Sequence, residues 1–142
     1  MVGGGLAVPG ATLDYLVHVT NTSAVAVNPV VITDNLNAPG PGVLTYVAGT
    51  ATMNGSPNGV SVAGNVITAN YSTTYGALAP GGTVDLHFRA TLGSTLVTGT
   101  IVTNTGVATW GNPAQSVSGS VSIQVAAPTP PTLRSSRAAR RP

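Results

Sequence analysis

The 142-residue sequence predicts an all-β fold, a sandwich of about seven or eight antiparallel strands followed by a disordered C-terminal tail. Three observations predict it. Short runs rich in Val, Thr and Ile alternate apolar and polar residues with period two, the mark of half-buried strands. Clusters of Gly, Pro and Asn interrupt these runs at short intervals, as the turns of a sandwich or barrel do. Helix formers are scarce: there is no glutamate and no lysine, while Gly (18) and Pro (11) together make about a fifth of the chain.

The elements follow in order. Thr12–Thr20 (TLDYLVHVT) places Leu13, Tyr15, Val17 and Val19 on one face and Asp14, Leu16 and His18 on the other. Asn21-Thr22-Ser23 ends it. Val27–Thr33 (VNPVVIT) reads as a second strand, with Pro29 at an edge or near its start because proline lacks an N–H. Asp34–Gly42 (DNLNAPGPG) is a loop, and Val43–Met53 a third strand region with a bulge or break at Gly49. The turn cluster Asn54–Gly59 leads into Val60–Ala63 and Asn65–Ala69, a small hairpin about Gly64-Asn65. Asn70–Gly76 (NYSTTYG) reads as a loop, and no segment reads as a helix. Ala79-Pro80-Gly81-Gly82 is a tight turn feeding the clearest strand, Thr83–Leu92, where Val84, Leu86, Phe88 and Ala90 oppose Asp85, His87, Arg89 and Thr91. Thr100–Trp110 and Val117–Val125 complete the set. One domain is expected over 1–127. The segment 128–142, rich in Pro and Arg with almost nothing to bury, is expected to be disordered.

Charge is sparse and segregated. Charged residues make 6% of the chain, against about 25% in an average soluble protein. Residues 1–127 hold Asp14, Asp34 and Asp85 against Arg89, while 128–142 hold Arg134, Arg137, Arg140 and Arg141. The basic isoelectric point therefore belongs to the tail, and the body lacks the clustered Lys/Arg face of a nucleic-acid binder. The tail arginines could meet an acidic surface, but a linker or a solvated end is the plainer reading. No run of 18 apolar residues exists, so no membrane insertion is expected. MVGGGLAVPG lacks the basic and apolar regions of a signal peptide. Without cysteine there are no disulfides and no thiolate-held metals. Without lysine there is no Schiff base and no lysine-to-asparagine isopeptide bond within the chain.

Five segments in order resemble the DUF11 conserved repeat domain. Pro9-Gly10-Ala11-Thr12-Leu13-Asp14-Tyr15 with Val19-Thr20-Asn21-Thr22 is similar to the family's opening. Val31-Ile32-Thr33-Asp34-Asn35-Leu36, Leu44–Thr52, Leu78–Val84 and Val102–Thr109 are similar to its later motifs. The resemblance covers roughly residues 9–110. It implies an immunoglobulin-like β-sandwich and a place in bacterial or archaeal cell-surface proteins, where such modules often stand in tandem. The family's usual first strand, with its lysine, has no counterpart before Pro9.

The residues that could carry chemistry each have a plainer reading. On facing strands, Asp14 opposite Arg89 would put His18 opposite Asp85, a compensated solvated face rather than a catalytic or metal cluster. No nucleophile sits in a triad-like setting. Asp34, beside Asn35 and Asn37, offers one carboxylate where calcium needs several, so an Asx-turn is expected. Asn21 and Asn104, both in VTNT, are expected to cap strand ends. Tyr15 and Phe88 read as core. Tyr71 and Tyr75 read as packing over one end, with Tyr46 and Trp110 the other large aromatics. Asn21, Asn54 and Asn70 head sequons.

The expected function is a non-enzymatic structural module of a cell-surface or secreted protein: a spacer, adhesin stalk segment or matrix component. No catalytic residue, cofactor, metal or small-molecule substrate is expected. The expected partners are neighbouring domains or copies of the chain, met through an exposed sheet edge. The alternative is an extracellular filament subunit assembled by donor-strand complementation. In that reading the absent first strand leaves a groove, and the donor is Val117–Val125 or the glycine-rich N-terminus.

Overall fold

A computed structural model describes residues 6–128, so the tail expectation beyond Pro128 lies outside the described residues. The described strands are β1 (Thr12–Thr20), β2 (Val30–Asn35), β3 (Leu44–Tyr46), β4 (Thr52–Met53), β5 (Val60–Ala63), β6 (Val66–Asn70), β7 (Thr83–Leu92), β8 (Ile101–Trp110) and β9 (Gln115–Gln124). One helical turn, α1 (Tyr71–Tyr75), lies between β6 and β7.

The strands form two antiparallel sheets. One runs β1-β7-β3, with β4 also pairing β7; the other runs β5-β6-β2-β8-β9. The register of β1 on β7 sets Asp14 against Arg89 and His18 against Asp85, as charge compensation predicts. The inward residues of both sheets meet in one core. Leu13, Leu86, Phe88 and Leu92 from the first sheet pack with Ile32, Ile67, Val102 and Ala108 from the second. Tyr15 stacks on Phe88 with ring centroids 5.5 Å apart. The result is an immunoglobulin-like β-sandwich.

Turn chemistry explains the connections. Gly64 and Asn65 both have positive φ, the two-residue geometry that matches strand twist in a hairpin. Gly82 N–H closes the Ala79-Pro80-Gly81 turn on Ala79 O at 2.8 Å, with Gly81 at φ 74°.

Three sequence expectations are corrected, and the break expected at Gly49 is found. The second strand begins at Val30, after Pro29, and continues through Asp34 and Asn35; the loop starts at Leu36, whose side chain is buried. The Val43–Met53 region is two strands, because the turn at Gly49 (φ 79°) breaks it where Tyr46 Oη accepts from Thr50 and Ala51 N–H. Asn70–Gly76 holds a helical turn, which Asn70 caps by accepting from Thr73 N–H at 3.2 Å. The last strand starts at Gln115 rather than Val117.

At Gly106, β8 lies close against β1 of the other sheet. A Cβ added at Gly106 would lie 2.8 Å from a Val17 methyl, whereas its β9 partner Gly119 faces open space. Gly106→Val should therefore cost about 1–3 kcal/mol in urea unfolding, and Gly119→Val much less. Adding Val17→Ala to Gly106→Val should recover part of the loss. Equal costs at the two glycines would refute this account of the close approach.

Candidate functional site

The two sheets differ in width on one side. β1 is the last strand of its sheet, and among the described residues nothing pairs with its outer edge. The opposite sheet runs one strand further, to β9. Two inward side chains of β9 are consequently uncovered, Val117 at 55% and Val121 at 51% exposed, while Ile123 packs against the core. Exposed valines on an inward face are a sandwich side left open, and a free edge beside them presents unpaired backbone groups.

Two cavities run along this open side. One, of about 300 Å³, lies among Val19, Asn21, Val30, Leu78, Trp110 and Val117. The other, of about 320 Å³, lies among Tyr15, Val17, Asp34, Asn104, Val117 and Val121. They share Val117 and together make a groove between β1 and β9.

The floor of the second cavity is polar. Strand parity turns Asp34 inward from β2 and Asn104 inward from β8. Asp34 is fully buried and accepts a 2.8 Å hydrogen bond from Asn104 Nδ2. Its other oxygen, Oδ1, has no partner, nor have Asn104 Oδ1 and the Tyr15 hydroxyl. Burial pushes the Asp34 carboxyl up to about 6, partly offset by the bond from Asn104. Burial, and then the Asp34 charge, push the Tyr15 phenol up to about 12. The Asx-turn expected of Asp34 is at Asn35 instead, whose Oδ1 accepts from Asn37 N–H. The cap expected of Asn104 is also corrected, since it sits mid-strand. Asn21 does act as expected, bonding Val25 O and Leu78 O and accepting from Ser23 N–H. The pairing of Asp34 with Asn104 was not read from sequence. The available signal was that each sits at an inward parity position of an apolar strand.

The outer face of β1 and β7 carries the remaining charges. His18 pairs with Asp85, His87 Nε2 lies 2.6 Å from Asp14, and Arg89 Nε lies 3.8 Å from the same carboxylate. These contacts lie on a partly exposed surface, where such pairs contribute little. Among the described residues no three His, Cys, Asp or Glu side chains converge to hold a metal ion. Tyr71 and Tyr75 pack together on α1, centroids 5.2 Å apart. No described helix is long and apolar enough to cross a membrane.

No family model and no curated protein matches the chain. Solved structures do. BcpA, the major pilin subunit of Bacillus cereus, matches with a TM-score of 0.60 at 14% identity, over 84% of this chain and 36% of that one. A Corynebacterium diphtheriae protein described as membrane-anchored matches with a TM-score of 0.61 at 14% identity, over 91% of this chain and 33% of that one. Domains D2 and D3 of the major pilin SpaD from the same organism match with a TM-score of 0.52 at 13% identity, over 80% and 45%. The chain thus spans less than half the length of each. At these identities the likeness is one of fold, the immunoglobulin-like sandwich.

The Asp34 carboxyl fixes a pH dependence. Below about pH 4 it is protonated in both folded and unfolded chains. Between about pH 4 and pH 6 the unfolded chain ionises while the folded one holds its proton, so stability falls as pH rises through that window. The loss is on the order of 3 kcal/mol for a shift of about two pH units. Asp34→Asn should be free of it. Urea unfolding of both proteins from pH 3.5 to 7.5 is the check. The stability difference between them should widen in favour of the Asp34→Asn variant across the window, and a constant difference would refute the assignment. The comparison cancels His18 and His87, which the two proteins share.

Proposed function

We propose that the chain is a non-enzymatic structural module of a bacterial or archaeal cell-surface or secreted protein, of the DUF11 kind its motifs resemble, and that it joins neighbours through its open side. The observation that carries this is the free edge of β1 beside the uncovered inward face of β9. Such an edge is a liability unless something covers it. The low charge, the Thr/Ser-rich exterior and the sandwich shared with pilin domains support the same reading. So does the outer face, where His18 and His87 lie beside Asp85 and Asp14 on a partly exposed surface rather than in a cleft. Antiserum against the chain should label intact cells of the source organism, and external protease should remove the label. Labelling only after lysis would overturn the reading.

A second reading, a filament subunit built by strand exchange, is favoured by the same edge. β9 pairs along its whole length with β8 of its own chain, so Val117–Val125 serves its own sheet and is not a donor in this state. The groove along β1 is then the acceptor, and the donor is another segment. Light scattering with negative-stain microscopy should show oligomers or fibres if the chain supplies its own donor. A sharp monomer peak leaves the module reading and removes self-assembly.

A further inference from the structure

A different edge, that of β9, is built to meet a copy of itself. β9 ends the five-stranded sheet, and among the described residues nothing pairs with its outer side. Sheet edges are usually guarded by short strands, charges, prolines or bulges. β5, at the other end of the same sheet, is only 4 residues long. β1 carries Asp14 and His18. β9 has none of these devices. It is 10 residues long, holds no charge and no proline, and pairs with β8 without a bulge from Gln115 to Gln124.

Its sequence fits one partner in particular. Ser116–Ser122 reads SVSGSVS, the same in both directions about Gly119. A two-fold axis pairs residue i with j and j with i, so this strand, set antiparallel to a second copy, is complementary to itself. With Gly119 on the axis, Ser116 meets Ser122, Ser118 meets Ser120 and Val117 meets Val121. The backbone agrees. Val125 N–H donates to Thr100 O, one step past the β8–β9 ladder, so by alternation the N–H and C=O groups of odd-numbered β9 residues turn toward β8. Ala126 N–H turns the other way, to Ala7 O. The groups of the four serines therefore point out of the free edge, and this register sets them against one another. The neighbouring registers that keep this bonding put Gly119 against Val117 or Val121, and lose the pairing of valine with valine.

Both faces gain from the same alignment. The valine pairs are of the non-hydrogen-bonded kind, in which side chains come closest. They fall on the inward face, where Val117 and Val121 are exposed. The opposite sheet stops one strand short, at β1, so β9 overhangs and can be approached edge-on. On the outer face the hydroxyl pairs Thr103–Ser122 and Thr105–Ser120, each at 2.7 Å, would continue across the axis through Ser116 and Ser118.

We propose that two copies of the chain join edge to edge through β9, antiparallel about a two-fold axis at Gly119, so that one sheet runs through the pair. This rests on the reading of the chain as a module that joins neighbours, and names one of them as a second copy; the edge of β1 stays free.

The chain has no cysteine, so an introduced thiol reports contact between copies. A Cβ added at Gly119 meets open space. On the axis, two Gly119→Cys residues would stand about 4.5 Å apart at Cα, within reach of a disulfide. Two Val117→Cys residues would lie four positions out of step, at least ~13 Å apart, and could not bridge. Under mild oxidation of the 142-residue chain, Gly119→Cys should form a covalent dimer about tenfold faster than Val117→Cys. Val117→Cys mixed with Val121→Cys should cross-link where neither does alone. In sedimentation without cysteines, the chain should dimerise at high concentration. Ser118→Lys with Ser120→Lys, which sets like charges face to face, should return it to the 14.0 kDa monomer with an unchanged circular dichroism spectrum. Equal cross-linking at Gly119 and Val117 overturns the register. A dimer that the two lysines leave intact overturns β9 as the contact. A monomer at every concentration overturns the pairing outright, while surface labelling still decides the module reading separately.

Discussion

The alternation along β7 is the constraint on which one whole sheet depends. Val84, Leu86, Phe88, Ala90 and Leu92 all face inward, and each is fully buried. β7 pairs with β1 along one edge and with β3 and β4 along the other. A shift of one residue in its register would turn five apolar side chains to water and draw Asp85, His87 and Arg89 into the core. The outer charges favour the same register, since it sets Asp14 against Arg89 and His18 against Asp85. Apolar burial and charge pairing thus select one alignment, and mutual support of this kind marks a well-specified fold.

The ends of β1 and β7 were legible because alternation and flanking turns agreed there. Thr12–Thr20 is bounded by Gly10 and Asn21, and Thr83–Leu92 by Gly82 and Gly93. The hairpin at Gly64-Asn65 was legible for a similar reason, because few residues accept two successive positive φ values. Asp34 misled the reading because its composition and its position disagree. Beside Asn35 and Asn37 it reads as loop, yet strand parity carries it into the core, and only the cross-strand Asn104 makes that tolerable. A pairing between residues 70 positions apart leaves no local trace. The helical turn at Tyr71–Tyr75 was hidden for another reason: its sequence has weak helix propensity, and the Asn70 cap and tyrosine packing hold it.

The open side of the sandwich links fold to function. Among the described residues β1 has an unpaired outer edge, and the inward valines Val117 and Val121 of β9 stand exposed beside it. The gap is not uniformly greasy. Its walls are apolar, and its floor carries the buried Asp34 carboxyl with two unpartnered neighbours, Asn104 Oδ1 and the Tyr15 hydroxyl.

The position of Arg89 bears on durability. It is the sole Lys or Arg in residues 1–127, so a trypsin-like protease finds one peptide bond there to cut, the one joining Arg89 to Ala90. That bond lies inside β7, with β1 on one side and β3 on the other. Proteases of this kind take their substrates as extended, unpaired chain, which folded proteins offer mainly at loop tips. Every loop of the described body is free of such a site. Digestion must therefore wait for the sheet itself to open, and the module's lifetime among these enzymes follows its unfolding equilibrium rather than the flexibility of its surface.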